Sequence, residues 1–252
     1  MLPSGFYNMD CMDGMRNMKD ESVDLIITSP PYNLGSEHHT GNKRFSAYST
    51  YNDDMLESDY QNWQVQFLNE CRRVLKQDGS MFYNHKNRIK DGVSITPYEW
   101  ILESEFIVKQ ELVWFNGSPN FDKIRFYPMT ERVYWLVKEA KTTLKNTINH
   151  HDVFDWSAVG TSGEHKRAFP EKMVQDILCC FPNKKIVLDP FSGSGTVGIV
   201  AHRMGFEFIG YELDAEYHKA ASERLEKEKA QQTLFSPEEI YKPQQQGLSF
   251  DE

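Results

Sequence analysis

Two short stretches carry residues whose types and spacing could do chemistry. The first is Ser29-Pro30-Pro31-Tyr32, directly after Val23 to Thr28, a β-branched run that reads as a buried strand stopped by proline. The paired prolines fix the backbone, so the Ser29 hydroxyl and the Pro30 carbonyl are rigidly presented as acceptors. An exocyclic amino group on a nucleobase is a poor nucleophile, because its lone pair is delocalised into the ring. Two acceptors holding its hydrogens favour a pyramidal nitrogen whose lone pair can be aimed at an electrophile. Tyr32 offers a face on which a base drawn out of a duplex can stack. Taken alone, the motif reads equally well as a strand end with a core tyrosine.

The second stretch is Asp189-Pro190-Phe191-Ser192-Gly193-Ser194-Gly195-Thr196, between a strand at 185–189 and a helix at about 196–204. Gly193 and Gly195 let the backbone approach a ligand where a β-carbon would clash. In an open α/β sheet such a turn lies beyond the carboxyl ends of the strands, where ligands sit. The Gly-Lys-Ser/Thr ending of a phosphate loop is absent, and a carboxylate at the strand end suits a cation instead. Glu212 follows about 20 positions on, at the end of the next strand, where an acid can accept both ribose hydroxyls. Adenosine with a positive charge and no phosphate describes S-adenosylmethionine.

Together, Ser29-Pro-Pro-Tyr32 and Asp189-Pro-Phe-x-Gly-Ser-Gly-Thr196 resemble the amino-methylating DNA methyltransferases of prokaryotes and their phages. The catalytic motif precedes the cofactor motif, an order similar to the circularly permuted β group, whose target-recognition region lies between the two. Asn8-Met-Asp10-Cys11, Arg73-Val-Leu-Lys-x-Asp-Gly-Ser80 and His165-Lys-Arg-Ala-Phe169-Pro170 add to the likeness, which covers roughly residues 6 to 228. The resemblance implies an α/β, Rossmann-like, circularly permuted methyltransferase fold, with a mixed seven-stranded sheet and helices on both faces. It implies Ser29, Pro30, Pro31 and Tyr32 as catalytic residues. The cofactor pocket would be lined by Asp189, Pro190, Phe191, Gly193, Ser194, Gly195 and Thr196. Glu212 would take the ribose, Asp10 would lie near the adenine, and Phe169 would belong to the segment covering the methionine end. In this family an Asp in the first motif position commonly accompanies adenine and a Ser cytosine, so Ser29 tilts the reading toward N4 of cytosine, with N6 of adenine as the alternative. Carbon methylation would need a Pro-Cys nucleophile, and none of the four cysteines follows a proline.

The partner implied is double-stranded DNA. Basic residues gather at His38-His39 with Lys43 and Arg44, at His85-Lys86-Asn87-Arg88 with Lys90, at Lys123 with Arg125, and at 165–167, within a net charge of −9. His39, Lys43, Arg44, Lys86, Arg88, Lys123 and Arg125 are the candidate DNA contacts, in loops 33–53 and 116–165 and beside a central strand. A homodimer is expected by analogy with the β group. Gln231-Gln-Thr-Leu-Phe235 resembles peptides that dock on the bacterial replication clamp, although a helix end with two apolar residues accounts for it too. Competing readings are an RNA or protein-glutamine methyltransferase, whose Asn-Pro-Pro-Tyr relatives place the cofactor motif first, and a non-catalytic DNA-binding subunit.

The elements that must position these residues follow from periodicity. Strands are expected at 23–28, 80–84, 110–115, 132–137, 185–189 and 206–211, and helices at 59–76, 97–105, 170–180, 196–204 and 214–229. Pro170 is expected as a first helical residue and Asp214 as an N-cap. Strands alternating with helices predict a largely parallel sheet in one domain over 1–230, followed by a polar, mostly disordered tail at 231–252. No apolar run approaches the roughly 20 residues that span a bilayer, no signal peptide is legible, and the cysteines lack metal-ligand or disulfide spacing. A cytoplasmic protein without membrane or metal is the expectation.

Overall fold

The computed structural model describes residues 2–34, 54–115, 125–146, 151–156 and 170–232. In chain order these form β1 (Gly5–Asn8), α1 (Cys11–Arg16), β2 (Val23–Thr28), α2 (Glu57–Val74), β3 (Leu75–His85), β4 (Arg88–Lys90), β5 (Val93–Ile95) and α3 (Tyr98–Ile101). Then come β6 (Ile107–Phe115), β7 (Thr130–Val137), β8 (Val153–Phe154), α4 (Glu171–Cys179), β9 (Ile186–Asp189), α5 (Thr196–Arg203), β10 (Glu207–Glu212) and α6 (Ala215–Gln232).

The main sheet has the order β1-β10-β9-β2-β3-β7-β6-β8. The strands from β1 to β3 run parallel, β7 is antiparallel to β3 and β6, and β8 lies parallel to β6. The strand order reverses between β9 and β2, so a crevice opens beyond their carboxyl ends. Burial explains why β2 sits at the centre. Each of its six residues is buried, and its side chains alternate between two cores: Val23 and Ile26 face one, Leu25 and Ile27 the other. A parallel strand covered on both faces needs apolar side chains on each, and its one charged member, Asp24, is paired with Lys76. The first core is roofed by α1, α2 and α3 through Met15, Phe67, Cys71 and Trp100. The second is roofed by α4, α5 and α6 through Val174, Val200 and Leu225.

The sheet has eight strands where seven were expected. The extra strand, β8, falls inside the predicted recognition segment and pairs with the edge of β6, where Val113 N–H donates to the Asp152 carbonyl at 2.7 Å. Phe154 stacks on Trp156 at 3.8 Å, and the Trp114 indole donates to the Trp156 carbonyl. Aromatic packing thus draws a polar-looking segment into the sheet. The strand β1 was not anticipated either, being only four residues of half-buried pattern. Its register against β10 pairs Asn8 with Glu212. The hairpin β4–β5 turns through Asp91 and Gly92, both at positive φ, the geometry that an Asp-Gly pair favours.

Boundaries shift at three helices. α2 leads straight into β3 at Leu75, so residues 77–79 lie within a strand. α3 is a single turn, and Pro170 is the extended N-cap of α4 while Glu171 opens the helix. Asp214 does cap α6, its Oδ1 accepting the Glu216 and Tyr217 N–H groups. Helix α6 reaches Gln232, so the predicted tail loses its first two residues, and Thr233 to Phe235 of the clamp-like peptide lie outside the described residues. Among the described residues no helix is long and apolar enough to cross a membrane.

β1 is anchored by Phe6, whose ring occupies space left by three glycines. A Cβ on Gly195, Gly198 or Gly210 would lie 2.6 to 2.7 Å from that ring. Gly198 to Val should therefore overpack the joint between β1, α5 and β10, lowering stability by about 3 kcal/mol, the upper end for forced insertion. Urea denaturation would measure it, and an unchanged midpoint would show that the Phe6 ring can move aside.

Candidate active site

The two motifs meet at the reversal point of the sheet. β2 pairs with β9, aligning Leu25 with Val187 and Ile26 with Leu188, so both strands end at the same level. There the fully buried Thr28 hydroxyl donates to Asp189 Oδ1 at 2.9 Å, joining residues 161 positions apart. Ser29, the next residue, therefore stands beside the Asp189 turn, as the two motifs require. Thr28 is a candidate site residue that motif reading passed over; a hydroxyl directly ahead of the Ser-Pro-Pro stop, at the end of the apolar run Leu25 to Ile27, was its signal.

In the catalytic motif, Ser29 Oγ lies 2.8 Å from the Tyr32 hydroxyl. That hydroxyl lies 2.7 Å from Asn84 Oδ1 and 3.1 Å from Glu131 Oε2, both of which accept from it. Asn84 is the next-to-last residue of β3 and Glu131 the second of β7, and the Asn84 amide is itself fixed by donating to the Arg132 carbonyl at 2.9 Å. The Tyr32 ring is flanked by His85, with centroids 4.5 Å apart, and by the Lys86 ammonium, 5.6 Å from its centroid. His85 is fully buried, and that burial lowers its pKa to about 3, so the imidazole is neutral. Asn33, at positive φ, exchanges two hydrogen bonds with the Met55 backbone and clamps together the two ends of segment 34–54.

On the cofactor side, Asp189 is completely buried. Desolvation pushes its carboxyl up to about 7, with Glu212 adding to the rise and the Thr28 hydroxyl and Phe191 N–H opposing it. A cation seated beside it would favour the ionised form. Glu212 is raised too, chiefly by burial, yet each of its oxygens accepts one backbone N–H: Oε2 from Gly193 at 2.7 Å and Oε1 from Asp214 at 2.9 Å. The carboxylate is thereby pinned with a lone pair left on each oxygen, the arrangement a ribose diol needs. Gly193 and Gly195 both adopt positive φ, and a Cβ on Gly193 would project into open space, where a side chain would fill the cradle. Phe191 packs against Phe67 and Trp63 of α2, at 5.1 and 6.0 Å. Arg224 of α6 donates to the Ser194 carbonyl and fixes the turn from behind. These residues fit S-adenosylmethionine in charge, hydroxyl acceptors and space.

The remaining predicted residues divide. Pro30 and Pro31 stand between Ser29 and Tyr32. Pro190, Ser194 and Thr196 complete the turn and open α5, all three buried. Asp10 caps α1, accepting the Met12 and Asp13 N–H groups, and lies beside Glu212 because Met9 N–H donates to the Glu212 carbonyl. Arg125 is exposed ahead of β7. His39, Lys43, Arg44, Lys123 and Phe169 lie outside the described residues. Arg88 corrects the prediction of a DNA contact. It is 6% exposed, forks onto both Glu57 oxygens at 2.7 and 2.8 Å, and stacks over Tyr60 and Trp100. Removing its partner's charge would strand a buried cation, so it stays inside. Among the described residues no group of three or more His, Cys, Asp or Glu could hold a metal.

A sequence profile of the N6/N4 family, described as DNA methylase, matches residues 23–223. The chain belongs to that DNA methylase family. This methylase is 28% identical over 249 residues to the Type II methyltransferase M.HinfI of Haemophilus influenzae, an alignment covering 86% of this chain and 66% of that protein. It is also 28% identical over 253 residues to the DNA adenine methyltransferase YhdJ of Escherichia coli K12, covering 86% of this chain and 81% of the relative. In fold it is similar to the cytosine-N4-specific PvuII DNA methyltransferase, with a TM-score of 0.73 at 21% identity over 95% of this chain and 90% of that one. The M1.HpyAVI complex with S-adenosylmethionine has a TM-score of 0.62 at 23% identity, over 88% and 98%. The family draws its methyl group from S-adenosylmethionine, and the fold is that of its methyltransferases.

The raised Asp189 carboxyl makes cofactor affinity depend on pH. A cation seated beside it favours the carboxylate, so binding should weaken by up to about tenfold per unit as pH falls below about 7. Titration calorimetry from pH 5.5 to 8.5 would measure the slope, and Asp189 to Asn should flatten it. A wild-type affinity constant across that range would place the cation elsewhere.

Proposed function

We propose that this methylase transfers a methyl group from S-adenosylmethionine to the exocyclic amino nitrogen of a base flipped out of double-stranded DNA, N4 of cytosine. The single observation that carries the reading is the Thr28–Asp189 hydrogen bond, which sets the Ser29 motif at the mouth of the cofactor turn. When bound, S-adenosylmethionine supplies a methyl group on a sulfonium whose departure leaves a neutral thioether.

The chain's own residues prepare the nitrogen and dispose of its proton. Ser29 Oγ and the Pro30 carbonyl accept the two amino hydrogens and turn the lone pair out of conjugation, and the Tyr32 ring supports the base. Once nitrogen has gained its new carbon it carries positive charge and must shed a proton. A path for that proton runs from Ser29 Oγ through the Tyr32 hydroxyl, 2.8 Å away, to the Glu131 carboxylate, 3.1 Å further on. Asn84 holds the tyrosine hydroxyl in line. Lys86, beside Tyr32, and the exposed Arg125 would meet phosphates near the flipped base.

Ser29 supports cytosine through the family resemblance, in which a Ser at this motif position commonly accompanies cytosine and an Asp adenine. N6 of adenine is the second reading, favoured by the likeness to YhdJ, which is named for adenine. Incubation with mixed-sequence DNA and tritiated cofactor, followed by nucleoside analysis, separates the two. N4-methylcytosine is expected, N6-methyladenine would transfer the assignment, and absence of label in DNA would overturn methyl transfer. Ser29 to Ala should lower kcat by about 100-fold, in the range for general acid–base groups, with cofactor affinity within a few-fold of wild type. Glu131 to Gln should lower kcat by about tenfold or more while sparing cofactor binding. Wild-type turnover in the Glu131 variant would remove it from the proton path.

A further inference from the structure

Behind the catalytic loop, four buried side chains from three elements form one hydrogen-bonded line. Trp100 of α3 donates its indole N–H to the Tyr83 hydroxyl of β3 at 3.0 Å, and Tyr83 donates to Gln64 Oε1 of α2 at 2.9 Å. Gln64 Nε2 donates to the Tyr60 hydroxyl at 2.7 Å, and Tyr60 donates to the Pro31 carbonyl at 2.7 Å. All four side chains are 0% exposed.

The direction of the line follows from its first member. An indole N–H can only donate. Tyr83 must then accept from Trp100 and spend its own hydrogen on Gln64. That contact sets the amide with oxygen toward Tyr83 and nitrogen toward Tyr60. Tyr60 in turn accepts from Gln64, which leaves its hydrogen to be given forward.

Forward lie two acceptors. One is the Pro31 carbonyl. The other is His85 Nε2, 2.8 Å from the Tyr60 oxygen. The opposite ring nitrogen faces the Lys86 carbonyl at 2.8 Å, which can only accept, so Nδ1 carries the proton of the neutral ring and Nε2 presents a lone pair. One hydrogen serves two acceptors, so the hold on Pro31 is sensitive to anything that redirects Tyr60.

We propose that Tyr60 is a positioning residue for the Ser29–Tyr32 loop: its hydroxyl, aimed by the one-way chain from Trp100, holds the Pro31 carbonyl and with it the acceptors on either side. The Pro31 carbonyl belongs to the peptide that joins the two prolines to Tyr32, so losing its donor frees the loop to rotate. Tyr60 acts on the loop through its backbone, at the Pro31 carbonyl. Its effect passes through the placement of Ser29 and Tyr32, where an error of about 1 Å is enough to cost rate.

Three variants read the chain at different points, each assayed for kcat and KM below its melting temperature, with cofactor affinity measured alongside. Tyr60 to Phe removes the donor and should lower kcat about tenfold, the effect of one buried hydrogen bond, with cofactor affinity unchanged. Tyr83 to Phe leaves Tyr60 intact but frees the Gln64 amide to turn its oxygen toward Tyr60 and draw the hydroxyl off Pro31. It should also lower kcat several-fold, which a packing role would not do.

Gln64 to Glu is the sharpest test. A buried carboxyl has a raised pKa. Protonated, it donates to Tyr60 as the amide does; ionised, it takes the Tyr60 hydrogen for itself. The ratio of variant to wild-type kcat should therefore stand near one in acid and fall about tenfold as pH rises through that carboxyl's titration. A flat ratio, or wild-type kcat in Tyr60 to Phe and Tyr83 to Phe, overturns the proposal; should the Glu variant fail to fold, those two decide alone. The inference rests on the methyl-transfer reading, whose own failure would appear differently, as a wild type that labels no DNA.

Discussion

The hydrogen bond from Thr28 to Asp189, and the parallel pairing of β2 with β9 behind it, is the constraint on which everything else depends. Those two strands come from opposite ends of the chain, and nothing local brings them together. What does is burial: β2 is apolar on both faces, and only the centre of a covered sheet removes all of it from water. Once it lies there, proline ends it at Ser29 and glycine turns the chain after Asp189 at the same height. The crevice between them is where an α/β sheet offers a ligand site.

The electrostatics of the crevice are those of acceptors. Ser29 Oγ, Asn84 Oδ1, Glu131, Asp189 and Glu212 all converge from strand ends, while His85 is held neutral and Arg88 is turned inward onto Glu57. An amino group to be polarised, a sulfonium and a ribose diol are all partners that donate or carry positive charge. The net charge of −9 is therefore not in conflict with a DNA substrate. Acid is also taken up in salt bridges among the helices, as where Arg203 pairs with Glu171 and Glu228.

Buried polar groups inside the first core show a second use of direction. The line from Trp100 to Pro31 satisfies each donor in turn, and its orientation is set by a group that cannot reverse. A fully satisfied network of this kind costs little to bury and rigidifies what it touches. The catalytic loop thus rests on the core instead of standing on a mobile surface segment, as acceptors that must be placed before the reaction require.

The candidate site was legible in the sequence because its two motifs are runs of contiguous residues. Ser29-Pro-Pro-Tyr32 and the Asp189 turn each carry their own backbone instructions in proline and glycine, and the strands flanking them are strongly apolar. Asp214 announced its cap in the same local way. Tertiary structure alone decided the rest. Asn84, Glu131, Tyr60 and Thr28 are ordinary strand and helix residues until the fold sets the first two on Tyr32, the third on Pro31 and the last on Asp189. Arg88 reads as a DNA contact until its guanidinium is seen paired and stacked inside. β1 and β8 are too short to signal by periodicity, and each exists because aromatic side chains, Phe6 in its glycine hollow and Phe154 on Trp156, find their packing only in the finished sheet. Local backbone preference writes a motif into the chain; burial, which depends on distant residues, determines which side chains face it.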